Sequence, residues 1–280
     1  MALATMKSVL KDAQKNTYAV LACNLLSYEM LLGGIRAAEE ANSPLILQLA
    51  PVQFDTTPLE HFGPIMVDLA KKASVPVVVH LDHGFDFEEI KQAIDFGFTS
   101  VMIDASSQSF EDNVTLTKKV VEYAHKHHVN AEAELGSVGA EGEPIEDIAD
   151  ASENLTDVTA AKKFVELTGC DALAVAIGNA HGLHKQAPAL DFERLSDIRN
   201  AVDVPLVLHG GSGSSDDDFK QCIKRGITKI NIASFIHKTY VDGMNDQDAK
   251  TYPGFHIKGI AIAKDTVNRF LHLFGSVNHA

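Results

Sequence analysis

The stretch Val75–Asp82 reads VPVVVHLD and runs straight into His83 and Gly84. It is apolar at consecutive rather than alternate positions, as a parallel strand reads when both its faces are covered. Runs of the same kind occur at Tyr18–Asn24, Pro44–Ala50, Ser100–Ala105, Asn130–Gly136, Ala172–Gly178, Pro205–His209 and Lys229–Ala233. Amphipathic segments lie between them. Glu29–Ala41 carries Met30, Leu31, Ile35 and Ala38 at helical spacing, and Phe110–His127 carries Val114, Leu116, Val120, Val121 and Ala124. Thr159–Leu167, Phe192–Ala201 and Asp216–Arg225 are similar, and Asp157 and Asp191 stand where helix N-caps would stand. Buried strands alternating with helices predict an α/β fold, a single (β/α)8 TIM barrel spanning residues 1–280. A doubly wound open sheet would want a glycine fingerprint after its first strand. Here that strand ends in Cys23-Asn24-Leu25-Leu26.

The 280 residues hold 24 Lys+Arg against 38 Asp+Glu, a formal charge of −14. That balance argues against a nucleic-acid partner, which needs a basic footprint. It leaves room for a small anion held by local backbone. Cys23, Cys170 and Cys222 are odd in number and widely spaced, with no CxxC. No disulfide framework is expected, and a cytoplasmic location fits. The opening MALATMKSVLKDAQKN lacks an apolar signal core and suits an amphipathic helix. No apolar run reaches the ~18 residues of a membrane span. Residues 137–157 break the strand–helix rhythm and predict a mobile functional loop. Asp242–Gly259 reads as a second irregular stretch, and Asp265–Phe274 as a last helix packed back on the barrel.

Barrel chemistry sits where strands end. Strand one offers Asn24, strand three Asp82 and His83, and strand four Asp104 and Ser106. Strand five offers Glu132 and Glu134, strand six His181-Gly182 with His184 and Lys185 after it. Strand seven gives His209-Gly210-Gly211-Ser212-Gly213, and strand eight Asn231, Ala233 and Ser234. A lone strand-end histidine is more often a hydrogen-bonded structural residue than a ligand. Three of them, His83, His181 and His209, each followed by glycine, point instead to a metal site with one open position. His61, His125, His127, His128, His237, His272 and His279 read as surface or solvated. Asp82 suits either proton exchange with a substrate hydroxyl or the orienting of a histidine. Glu134 suits a spare oxygen ligand. The glycine–serine loop after strand seven, with the end of strand eight, suits a phosphate, and Lys185 could add positive charge.

The runs VHLDHG (79–84), AEAELG (131–136), AIGNAHG (176–182), LVLHGGSG (206–213) and KINIAS (229–234) together resemble the class II, zinc-dependent ketose-bisphosphate aldolases. The resemblance is greatest to the tagatose-bisphosphate aldolase-like branch and extends from about Tyr18 to LFGS (273–276). It implies Zn²⁺ on His83, His181 and His209, with Glu134 as an alternate ligand, and a monovalent cation near the phosphate. It implies that Asp82 is the acid/base. Dihydroxyacetone phosphate would lie against Asn24, Gly182, Lys185, Gly210, Gly211, Ser212, Asn231, Ala233 and Ser234. The 137–157 loop would carry an acid that moves the donor-carbon proton, and it offers Glu141 and Glu143. The expected reaction is reversible cleavage of a ketose 1-phosphate or 1,6-bisphosphate, in a homodimer or homotetramer. No nucleic-acid or membrane partner is expected.

The sequence departs from the family pattern on one side. Where serine and glycines are usual after strand two, it reads Leu49-Ala50-Pro51-Val52-Gln53-Phe54. The metal and donor halves are kept and the acceptor half has changed, so the aldehyde partner need not be glyceraldehyde 3-phosphate. A non-catalytic sugar-phosphate-binding protein on the same scaffold is the alternative.

Overall fold

The computed structural model describes residues 3–138, 155–183, 188–245 and 250–280. Eight parallel strands close into one barrel in chain order. They are β1 (Val20–Asn24), β2 (Leu45–Leu49), β3 (Val77–Gly84), β4 (Ser100–Ile103), β5 (Asn130–Leu135), β6 (Ala172–Val175), β7 (Leu206–Leu208) and β8 (Ile227–Ile232). The helices are α1 (Met6–Asn16), α2 (Tyr28–Glu40), α3 (Leu59–Lys72), α4 (Phe87–Asp95), α5 (Phe110–Lys126), α6 (Val158–Thr168), α7 (Phe192–Ala201), α8 (Asp216–Lys224), α9 (Ser234–Met244) and α10 (Tyr252–Leu273). Asp157 and Asp191 do cap α6 and α7, accepting the N–H of Ala160 and of Arg194.

Alternate residues of each strand point to opposite sides. One set packs outward on the helices, forming a large apolar shell that includes Leu21, Leu47, Val79, Val101, Leu173 and Ile230. The other set fills the barrel. Its lower layer is apolar: Val20, Ala22, Ile46, Val78, Ala172, Ala174 and Val207. Met6, Val9, Leu10 and Ala13 of α1 pack beneath that layer and close the N-terminal end. Asp171 ties α1 down, accepting from Lys7 Nζ (3.2 Å), His125 Nε2 (2.8 Å) and the Ala131 N–H (3.0 Å). Above the apolar layer the inward residues turn polar, and all of them are buried: Gln48, His80, Glu132 and Lys229, then Asn24, Asp82, Glu134, His209 and Asn231.

Most of the described residues of Asp242–Gly259 are helical, against expectation. α9 runs to Met244, and the last helix starts at Tyr252 rather than Asp265. Thr251 caps it by accepting from the Gly254 N–H, and Pro253 sits in its first turn, where the missing N–H costs nothing. Gly243, Pro253 and Gly254, which suggested irregular chain, all lie within these helices. A Cβ on Gly259 would lie 2.4 Å from the Tyr240 hydroxyl, so close packing of α9 on α10 requires glycine there.

Candidate active site

β3 does not keep its alternation to the end. Its pairing with β4 shifts register between Leu81 and Gly84, and His83 has φ +45°. The left-handed conformation is unfavourable for a residue with a Cβ and collects at functional positions. Here it lets two consecutive side chains, Asp82 and His83, serve the same end of the barrel.

Asp82 lies inside the barrel at the level of Asn24 and Asn231. Its Oδ2 accepts from Gln48 Nε2 at 2.9 Å and from Asn24 Nδ2 at 3.4 Å. Its Oδ1 accepts from Asn231 Nδ2 at 3.1 Å. Burial would raise this carboxyl, but His83, Lys229 and His209 outweigh it and hold Asp82 below the usual carboxylate value. It is thus an ionised, buried base whose position is fixed by three amides. Asn24 is itself held, accepting from Gln48 Nε2 at 2.9 Å and donating to Gln53 Oε1 at 3.3 Å.

The three expected histidines do converge. Ring centroids are 4.5 Å apart for His83 and His209, 5.0 Å for His83 and His181, and 6.0 Å for His181 and His209. One nitrogen from each ring lies within 4.8 Å of the others. His83 Nε2, His181 Nε2 and His209 Nδ1 are all buried without a hydrogen-bond partner among the described residues, and so is Glu134 Oε2. His209 Nδ1 and Glu134 Oε2 lie 3.3 Å apart. Buried polar atoms without good partners are costly, and three imidazoles that bring one nitrogen each together are what a cation ligand set looks like before the cation is added. The far nitrogens are occupied. His83 Nδ1 is 2.8 Å from Asp104 Oδ2, and His209 Nε2 is 2.8 Å from Glu132 Oε1. A carboxylate behind a ligating imidazole fixes its tautomer and leaves the near nitrogen's lone pair for a metal. His83, Asp104 and Glu134 form a second, overlapping group of possible ligands.

The charges agree. Burial pushes His83 down, but Asp82, Asp104 and Glu134 outweigh it and hold the imidazole up at about 10 without a metal. So many carboxylates around one ring demand positive charge. His181, by contrast, is pushed well down by burial and by the neighbouring His83 and His209. Beneath the ligands, Lys229 Nζ lies 2.9 and 3.0 Å from the two oxygens of Glu132. Burial would raise Glu132, but Lys229 and His209 keep it ionised. His80 sits beside this pair, its Nδ1 2.9 Å from Ser100 Oγ, and burial with Lys229 holds it neutral at about 3.

The loop after β7 is compact. Gly210 has φ +63°, and a Cβ there would lie 2.4 Å from the Ala180 carbonyl oxygen, so this turn requires glycine whatever it binds. A Cβ on Gly211 would lie 2.9 Å from the Asn231 carbonyl oxygen. Ser212 Oγ accepts the Phe235 N–H at 3.2 Å, tying this loop to the start of α9. Ala233 is the N-cap of α9, without a side-chain cap, and Ser234 is its first residue. Gly182 has φ +100° with open space around its Cα. Glu141, Glu143 and Lys185 lie outside the described residues.

Some site residues carried no assigned role in the sequence reading. Gln48, Gln53, His80 and Lys229 had none, and Glu132 and Asp104 were noted only as strand-end residues. His237, expected at the surface, is half-buried, its Nε2 2.8 Å from the Asn24 carbonyl oxygen.

Residues 4–279 match the family model described as fructose-bisphosphate aldolase class-II. The chain belongs to the class II fructose-bisphosphate aldolase family. This aldolase, a lyase, is 42% identical over 265 residues to the protein YdjI of Escherichia coli K12, described as uncharacterized, with 95% of each chain covered. A crystal structure titled as the YdjI aldolase of that organism superposes with a TM-score of 0.89 at 39% identity, covering 99% of both chains. A fructose-bisphosphate aldolase structure from Campylobacter jejuni, at 21% identity, TM-score 0.82 and coverage of 99% and 97%, shares the aldolase's fold.

Proposed function

We propose that the protein is a zinc-dependent aldolase that reversibly cleaves a ketose 1-phosphate or ketose 1,6-bisphosphate into dihydroxyacetone phosphate and an aldehyde. One observation carries the reading: partnerless nitrogens of His83, His181 and His209 face one another in the same barrel end as the amide-held carboxylate of Asp82.

His83, His181 and His209 would hold the zinc, with Glu134 as an alternate ligand. Three neutral nitrogen donors suit zinc better than calcium or magnesium, which prefer oxygen. A divalent cation there supplies positive charge opposite the negative charge that builds on the donor half's oxygens during cleavage. Asp82 takes the proton from the hydroxyl beside the bond that breaks and returns it in the synthetic direction. Gln48, Asn24 and Asn231 keep its carboxylate aimed. The backbone of Gly210, Gly211, Ala233 and Ser234, with Ser212, would hold the donor phosphate at the start of α9, where the helix dipole favours an anion. Asn24, Asn231, Gly182 and Lys185 complete the donor contacts, with a monovalent cation beside the phosphate. Glu141 or Glu143 serves the donor-carbon proton. The aldolase works as a homodimer or homotetramer in the cytoplasm. Among the described residues no helix is long and apolar enough to cross a membrane.

The test separates metal from Schiff-base chemistry. Dihydroxyacetone phosphate in deuterated water should exchange a carbon-bound proton with zinc-loaded protein and not after chelation. Borohydride with substrate should leave the chain unlabelled. Exchange that survives chelation would refute the reading.

A further inference from the structure

The loop after β2 differs from its surroundings in how its polar groups are used. Gln53 stands in a single turn of 3-10 helix, Pro51–Gln53. Its Oε1 accepts two hydrogen bonds, from the Ala50 N–H at 3.0 Å and from Asn24 Nδ2 at 3.3 Å. These hold the amide through its oxygen and leave the NH₂ to be used elsewhere. Gln53 Nε2 donates to no described residue, while Asn24, its neighbour, also reaches Asp82 at 3.4 Å. A pinned amide with two unused donors thus stands one side chain from the base. Val52 precedes it in the chain and Phe85 follows β3, and both are exposed, at 56% and 58%.

The charge around this side decides what those donors meet. The segments that follow β2, β3 and β4 are APVQFDTTP (50–58), FD (85–86) and DASSQS (104–109). They contain no Lys or Arg, and their ionisable residues are Asp55, Asp86 and Asp104. Lys185, after β6, is the sole Lys or Arg in the segments that follow the eight strands. A phosphate monoester carries nearly two negative charges and is normally met by Arg, Lys or a helix N-terminus. One phosphate is provided for by the β7–β8 loops and the start of α9. A second, on the aldehyde half, would find no Lys or Arg in the segments that follow β2, β3 and β4.

We infer that the aldehyde half of the substrate is an uncharged polyhydroxy aldehyde, that the cleaved ketose carries one phosphate, and that Gln53 is the residue that reads the aldehyde half. The inference rests on the donor assignment above, in which dihydroxyacetone phosphate occupies the β7–β8 side. The Gln53 amide donates to a hydroxyl of the aldehyde.

Aldol synthesis from dihydroxyacetone phosphate tests this with two probes of one carbon skeleton, glyceraldehyde and glyceraldehyde 3-phosphate, both enantiomers of each. A missing charge-assisted partner is worth about 10-fold or more in binding. The expected result is a kcat/KM for glyceraldehyde at least about 10-fold above that for its phosphate. Gln53→Arg should move that ratio about 10-fold toward the phosphorylated aldehyde. Gln53→Ala should raise the KM for glyceraldehyde more than it lowers kcat. Equal or better use of glyceraldehyde 3-phosphate by the unaltered protein would overturn the inference and leave the aldolase reading standing. A ratio unmoved by Gln53→Arg, together with an unmoved KM in Gln53→Ala, would overturn the role of Gln53. Failure of the deuterium exchange into dihydroxyacetone phosphate would instead overturn the donor assignment itself.

Discussion

Glu132 accepts the Nε2 hydrogen of His209 at 2.8 Å while the same carboxylate is clasped by Lys229 at 2.9 and 3.0 Å, with all three side chains fully buried. The lysine balances the charge of a carboxylate that holds His209, one of the proposed metal ligands. Lys229→Met should therefore cost about 3–5 kcal/mol, the usual result of leaving one buried charge unpaired. Adding Glu132→Leu should recover most of that loss, because an apolar pair of similar volume tolerates the site. The zinc affinity of the double variant should still fall about 10- to 100-fold, since His209 has lost its orienting acceptor. Urea unfolding of the metal-free proteins and a competitive zinc chelator measure the two effects separately. Full recovery of both would mean that Glu132 does no more than fill space.

Metal uptake should release protons. Without metal His83 is held at about 10, so it is charged at pH 8 and must give up its proton to ligate. Considered alone, this group makes zinc affinity rise with pH up to about 10 and fall below it. Calorimetry of zinc binding at pH 8 in buffers of different ionisation enthalpy should show about one proton released for this residue. His181→Ala removes one of three nitrogen donors and should abolish stoichiometric zinc binding at micromolar metal. Tight binding in that variant would place the metal elsewhere.

Asp82→Asn keeps the shape and loses the base. Cleavage should drop about 10²- to 10⁴-fold, the usual worth of a positioned proton acceptor. Zinc content should stay near stoichiometric, because both oxygens of Asp82 are held by the amides of Gln48, Asn24 and Asn231 and it is not among the proposed ligands. An inactive variant that had also lost its zinc would make Asp82 a metal-site residue rather than the base.

Asp171 fixes α1 beneath the barrel. Burial would raise its carboxyl, but the Ala131 N–H, His125 and Lys7 outweigh this and lower it. A lowered folded value means that its stabilisation is complete above the unfolded aspartate value of about 3.9 and is lost as pH falls through the folded value. Asp171→Asn should cost about 2–3 kcal/mol at pH 7, from bonds to charged groups and a buried N–H. That difference should shrink steadily below about pH 4. A gap that stayed constant from pH 7 to pH 3 would show that charge plays no part in the anchor.

The barrel was legible because each strand carried its own apolar run and each helix its own spacing. Asp82, His83, His181 and His209 were legible because they end strands beside glycine. The layer beneath them was not. Gln48, His80, Glu132 and Lys229 sit at alternate positions inside runs taken as uniformly buried, and their period of two marks the inward face. A lysine in a strand reads as an exposed edge until a partner such as Glu132, far along the chain, is known to face it. α3 was hidden by Gly63-Pro64, which looks like a break. The glycine is there because a Cβ would meet the Phe98 ring at 3.0 Å. α4 is only nine residues long, announced mainly by the capping box of Asp86 and Glu89.

The backbone of His83 sets scaffold and chemistry against each other at one position. Glycine would accept its left-handed torsion without penalty, and a search for greater heat tolerance would single the residue out for replacement. The tougher protein so obtained would have lost an imidazole from the proposed metal site. Robustness here has been conceded to activity, and the concession can be found at a single torsion angle.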